Sequence, residues 1–339
     1  MEHLELSSWF WIRCAAGLVI AGAMAGRGLK RGSLSKSGAA AALLVGFGTL
    51  AASWRFGLVL IGFYFSSTIL TRIGTSKKKE MERGFKEGGQ RDAWQVLTNS
   101  GIALALSVAH MVLLGTDGDA GPQGGPLPAP TAALVKSLLG HATALPDECA
   151  AAALRTALLC AIVGHFACAC GDTWASELGV LSPCRPRLVT SCCLRVVPPG
   201  TNGGVSFLGT AASCAGGLFV GALASVLGAV TGCGAAWELL PAVGAACGFV
   251  GSMVDSGLGA TLQETVFVAG SAGSKGGRIV ALDSSADETA AARRAGHTQG
   301  FPVLSNNAVN FVSVAVSTLL AAAVGAVIGA TQFAGCALV

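Results

Sequence analysis

Residues 308–330 read AVNFVSVAVSTLLAAAVGAVIGA, 23 positions without one ionisable side chain. A helix rises about 1.5 Å per residue and the hydrocarbon core of a bilayer is about 30 Å thick, so this run is long enough to cross it. Apolar stretches of the same kind occupy 9–26, 37–54, 56–72, 94–115, 149–170, 207–230 and 236–256. Across all 339 residues, 52% are hydrophobic and 12% are charged. That is about half the charged fraction of an ordinary soluble domain. The fold expected is all-α, a polytopic transmembrane helical bundle of about eight spans. Six to eight are allowed, because 37–54 and 56–72 are short enough to form a tight or partly re-entrant pair. One integral membrane domain is expected over 1–339. The 48 glycines would let helices approach closely where lipid supplies no hydrophobic drive between them.

The basic residues orient this layout. Loops retained in the cytoplasm are rich in Lys and Arg. Eighteen of the 22 basic residues fall in the loops after the first, third, fifth and seventh spans. Only Arg55 and Lys136 fall on the other side. Segment 116–148, rich in Gly, Pro and Ala, reads as a flexible exoplasmic loop, and 264–305 as a cytoplasmic loop. Both termini are then expected outside the cytoplasm. The start, MEHLELSSWFWIRC, lacks the Arg-rich, acid-poor character of an organellar transit peptide. A plastid address is therefore not supported, and an endomembrane such as the endoplasmic reticulum is expected.

Composition also excludes function classes. No basic stripe stands beside stacking aromatics, so nucleic acid is not an expected partner. The 12 cysteines sit in a chain too long and too apolar for a disulfide scaffold. The C-x-C of Cys168 and Cys170 and the C-C of Cys192 and Cys193 do not have structural-zinc spacing.

Several polar segments sit at the cytoplasmic ends of spans. Gly171-Asp172-Thr173-Trp174-Ala175-Ser176-Glu177 reads as a helix amino terminus carrying two carboxylates. Pro199-Gly200-Thr201-Asn202-Gly203-Gly204-Val205-Ser206 can aim backbone N–H groups at a phosphate, though it lacks the lysine of a Walker A loop. Asp255 lies near the end of an apolar helix, within Gly251-Ser252-Met253-Val254-Asp255-Ser256-Gly257. An acid in a membrane span is costly and points to function. Arg72 follows a hydroxyl-rich stretch, with Lys77 beyond it. Arg91, Trp94, Gln95 and Asn99 open the next span with a polar face. Asn306, Asn307 and Asn310 open the last.

Carboxylates for Mg²⁺, glycine backbone for phosphate and Arg or Lys for transferring charge are the parts of a phosphoryl-transfer site. Asp172, Glu177 and Asp255 are the expected metal ligands. Asp172, Asp255 and Arg72 are the expected catalytic groups. Gly200, Thr201, Asn202, Gly203, Gly204, Ser206, Lys77, Arg187, Asn306, Asn307 and Asn310 are the expected phosphate binders. A packing seam explains the same small residues without any chemistry, and a transporter or lipid carrier explains polar groups within spans equally well.

The motifs also form a recognisable set. G-S-L-S-x-S-G-A at 32–39, S-S-T-x-x-T-R-x-G at 66–74, R-x-x-W-Q-V at 91–96, G-D-T-W-A-S-E-L-G at 171–179, P-x-G-T-N-G-G-V-S at 198–206, D-S-x-L-G-A-x-L-Q at 255–263 and N-N-A-V-N at 306–310 resemble the transmembrane protein 19 family (domain of unknown function 92). That family includes plant phytyl-phosphate kinases. The resemblance implies an isoprenyl-phosphate kinase acting on a phytyl, geranylgeranyl or farnesyl monophosphate, with a nucleoside triphosphate such as CTP as donor.

Overall fold

The computed structural model describes residues 8–75, 82–83, 90–115, 147–231, 237–268, 278–280 and 297–332. Lys77 and most of the 116–148 segment lie outside these residues. Eight long helices are described: α1 (Ser8–Lys30), α2 (Lys36–Ala52), α3 (Trp54–Thr71), α4 (Ala93–Leu114), α5 (Asp147–Gly179), α6 (Phe207–Thr231), α7 (Leu240–Leu262) and α8 (Asn306–Gln332). Seven are long and apolar enough to cross a membrane, and α2, at 17 residues, is the short one. Only Ser53 separates α2 from α3, in an extended conformation that no helix can continue through. The two run antiparallel, because Tyr64 near the end of α3 returns to Ser33 just before α2, hydroxyl to hydroxyl at 3.1 Å. The short pair is thus a complete helical hairpin.

The outside of the bundle carries exposed Val19, Phe207, Val230 and Leu319, the surface a bilayer would cover. The chain is an integral, multi-pass membrane protein.

Helix α5 is the hub. It packs on α6, α7 and α8 and touches α3 and α4. Of its apolar window 72% is enclosed by protein, against 22% for α1. Its His165 is fully buried, with Nε2 3.0 Å from the Asn99 carbonyl of α4 and Nδ1 3.3 Å from the Thr318 hydroxyl of α8. Small residues bring α5, α6 and α7 backbone to backbone. A Cβ added to Gly171 would sit 2.7 Å from the Ser213 carbonyl oxygen, and one on Gly217 would overlap the carbonyl of Gly244. Gly217→Leu is therefore expected to cost about 3 kcal/mol or more of stability, since backbone cannot move aside as a side chain can. Loss of monodisperse protein on size-exclusion chromatography checks this. A variant as stable as the parent would show that the seam is not tight.

The loops beyond α1, α3, α5 and α7 gather on one face. Leu34 pairs with Arg91, Arg195 Nη2 donates to Gln299 Oε1 at 3.1 Å, and the Asn202 N–H donates to Thr265 Oγ1 at 3.1 Å. Arg27, Lys30, Arg31, Lys36, Arg72, Arg185, Arg187 and Arg195 belong to this basic face. Both described chain ends lie at the other. Single-cysteine proteins retaining exposed Cys193 are expected to react with an impermeant maleimide from the cytoplasmic side only. Reaction from the exoplasmic side would invert the topology.

The structure departs from the expected all-loop character of this face. Glu82–Arg83 (β1), Thr265–Val268 (β4), Arg278–Val280 (β5) and His297–Gln299 (β6) form a four-stranded sheet in the order β1-β5-β4-β6, with only β1 and β5 parallel. Arg187–Leu188 (β2) pairs antiparallel with Gly204–Val205 (β3). The 264–305 segment is therefore partly structured. Its distal part also caps α7, since the N–H groups of Phe301, Val303 and Leu304 donate to the Thr261 and Leu262 carbonyls.

Candidate functional site

A cavity of 770 Å³ opens among the ends of α4–α8 on the basic face. Each helix contributes a stripe at helical spacing. From α4 and the residue pair before it come Arg91, Gln95 and Asn99, and from α5 Asp172, Ser176 and Gly179. From α7 and its C-cap come Ser252, Asp255, Ser256, Gly259 and Gln263, and from α8 Asn306, Asn307 and Asn310. The 199–206 turn, Thr71 of α3 and Thr210 of α6 add to the wall.

The carboxylates come from facing helices. Asp255 is held from α8: Ser313 Oγ donates to its Oδ2 at 3.3 Å. The Asn310 amide, oriented to satisfy its surroundings, donates to the same oxygen at 3.0 Å and to the Asn306 carbonyl at 3.1 Å. Asp172 lies within electrostatic range of Asp255, so two acids share one half-buried space. Two like charges there favour a cation between them. Glu177 lines the same cavity. Among the described residues, however, no three of His, Cys, Asp and Glu converge as a metal-binding group. The geometry offers a pair of acids rather than a triad.

Among the described residues, the cation lining the cavity is Arg91. It is clamped through its backbone, donating N–H to the Ser33 carbonyl at 3.0 Å and accepting from the Ser35 N–H at 2.9 Å. A Cβ on Gly38 would collide with the Arg91 carbonyl, so that glycine is what lets α2 start here. Two sequence motifs, 32–39 and 91–96, are thus halves of one device. The Arg91 guanidinium has its pKa lowered by burial, partly offset by Tyr64 and Glu177. Its Nη1 lies 3.5 Å from Thr68 Oγ1.

Several expectations need correction. Arg72 caps α3 and is exposed, outside the cavity wall. Arg187 is also exposed, its Nη1 donating to the Leu194 carbonyl at 3.2 Å, and it is absent from the wall. Arg91 lines the cavity where Arg72 and Arg187 do not. The 171–177 segment is no helix start, because α5 runs unbroken to Gly179. Asp172 therefore faces the cavity from a helix interior and gains nothing from a helix dipole. The 199–206 loop lines the cavity, but three of its amides are already engaged. Those of Thr201, Asn202 and Gly204 donate to Pro198, Thr265 and Thr201 respectively. It is a braced wall rather than an open ring of donors.

Gly203 carries a related lesson. Its φ is +74° and a Cβ there would overlap Ala260 and crowd the Ser256 carbonyl of α7. Gly203→Val is thus expected to lower stability as well as turnover, by about 1–2 kcal/mol for the backbone alone. A melting temperature unchanged from the parent would refute the packing account.

Residues 19–318 match the family described as integral membrane protein DUF92. The chain belongs to this family. It is 35% identical to Protein PGR of Arabidopsis thaliana over 94% of this chain and 97% of that one. It is 28% identical to an uncharacterized membrane protein of Synechocystis over 63% of this chain and 65% of that one. An uncharacterized membrane protein of Methanocaldococcus jannaschii is 34% identical over 30% of this chain and 41% of its own. No solved structure matches the chain.

Proposed function

We propose that this member of the family is an isoprenyl-phosphate kinase, transferring the terminal phosphoryl group of a nucleoside triphosphate, CTP being the candidate, to a prenyl monophosphate. The observation that carries the reading is the pairing of Asp172 and Asp255 opposite Arg91 in one large cavity at the basic membrane face. Asp172 and Asp255 would hold Mg²⁺, which usually takes one or two carboxylates and completes its shell with phosphates and water. Bound there, the ion would neutralise triphosphate charge. Arg91 would hold the acceptor phosphate, the amides of Asn306 and Asn307 and the hydroxyls of Thr210 and Ser256 would orient the rest, and Asn310 would hold Asp255 in place.

An acceptor phosphate oxygen attacks the terminal phosphorus. The new P–O bond forms as the bridging P–O bond to the leaving diphosphate breaks, and the nucleoside diphosphate carries away that electron pair. A deprotonated acceptor needs no general base.

Purified protein given farnesyl, geranylgeranyl and phytyl monophosphates with each labelled triphosphate should yield labelled prenyl diphosphate, dependent on Mg²⁺. Absence of transfer for every pairing, from folded protein, would leave a lipid carrier as the better reading.

A further inference from the structure

A second space lies beside the polar cavity, between α1, α2, α3 and α4. It measures 80 Å³, several times the room one water molecule needs. Ala25, Ala42, Val45 and Leu60 are among its walls, and Leu50 and Gly57 lie at its inner end. Small side chains on α1 and α2 leave the gap, whereas bulky ones would close it. Three residues, Arg91, Gln95 and Asn99, line both spaces, so the α4 stripe is a wall common to the two. From Ser67 near the basic face to Gly57, the crevice follows α3 for about 15 Å of helix rise. That is about half the hydrocarbon thickness of a bilayer.

We propose that this crevice takes the hydrocarbon chain of a lipid monophosphate whose phosphate lies beside Arg91. An apolar void is a poor host for water and a good one for methylenes. Its strong charge stands at one end only, where the polar cavity begins. An amphiphile with one anionic head and one chain matches that polarity, with the head in the cavity and the chain inside the protein. The Leu50–Gly57 contact forms the floor, since a Cβ on Gly57 would overlap Leu50. Chain length is then sensed there. The inference rests on the kinase reading for the identity of the head group, but not for the position of the chain.

The test uses full-length protein in nanodiscs and a long-chain alkyl phosphate with a diazirine at the chain terminus. Photolysis should label peptides within 42–60, with competition by farnesyl phosphate and not by inorganic phosphate. Ala42→Leu, which narrows the crevice, should cut that labelling at least tenfold, and Leu60→Ala, which widens it, should retain it. Label confined to lipid-facing positions such as Leu18 and Val19, or undiminished in Ala42→Leu, overturns the proposal. A transfer assay on the same preparation separates the two readings. Labelling at 42–60 without transfer removes the kinase and keeps the chain site. Transfer with label only on the outer surface keeps the kinase and removes the chain site.

Discussion

Asp172→Asn and Asp255→Asn are each expected to reduce Mg²⁺-dependent transfer about a thousandfold while leaving the bundle folded. The carboxamide has the shape of the carboxylate, so packing is conserved and only charge is lost. A thousandfold corresponds to about 4 kcal/mol of transition-state stabilisation, a size typical of a lost metal contact. Stability should move the other way. Each acid loses hydration on burial and, to a lesser extent, is repelled by the other, so neutralising either relieves the folded protein. Asp255→Asn keeps an oxygen able to accept from Ser313 and Asn310, so its α7–α8 contact survives. The pairing of lower turnover with an equal or higher melting temperature is the signature to measure. Full activity in both variants would return these acids to a packing role, and a shared loss of activity and stability would show that they serve the fold.

The helices were legible because lipid imposes a length. Eight apolar runs became eight helices, and even the cramped 37–54 and 56–72 pair resolved as a hairpin about Ser53. The termini of elements were less legible, for physical reasons. Gly171-Asp172-Thr173 has the composition of a helix start, yet the glycine is there so that α5 can touch Ser213 and Gly248. Close packing and capping draw on the same small residues, and one sequence does not separate them. The sheet on the basic face escaped because its strands are two to four residues long. Thr265-Val266-Phe267-Val268, rich in β-branched residues, was its strongest local signal.

In the site, both acids and the three asparagines were readable as polar groups at the ends of apolar runs. The choice among arginines was not. Arg72, Arg91 and Arg187 all follow from the positive-inside pattern, and burial in the cavity wall distinguishes Arg91 from the other two. A weaker signal was the four-residue spacing of Arg91, Gln95 and Asn99, although Arg91 itself stands just ahead of α4, bridged to Leu34.

That distinction yields the last expected result. Arg91→Ala should lower turnover about a hundredfold to a thousandfold, the usual loss when one fixed donor at a reacting centre is removed. Arg72→Ala should stay within about threefold, since an exposed cap residue contributes little beyond its local charge. Arg91→Lys should recover only part of the loss. It restores the charge beside Glu177 but not the planar fork that meets two phosphate oxygens at once. If the phosphate is held by charge alone, Lys at position 91 will match the parent, and the bidentate account falls. If Arg72→Ala is the damaging change, the acceptor phosphate binds at the end of α3 and not in the cavity. Measuring KM for the prenyl phosphate and for the triphosphate separately assigns the guanidinium to one substrate. The placement of Arg91 between the polar cavity and the apolar crevice requires the effect on the prenyl phosphate to be the larger.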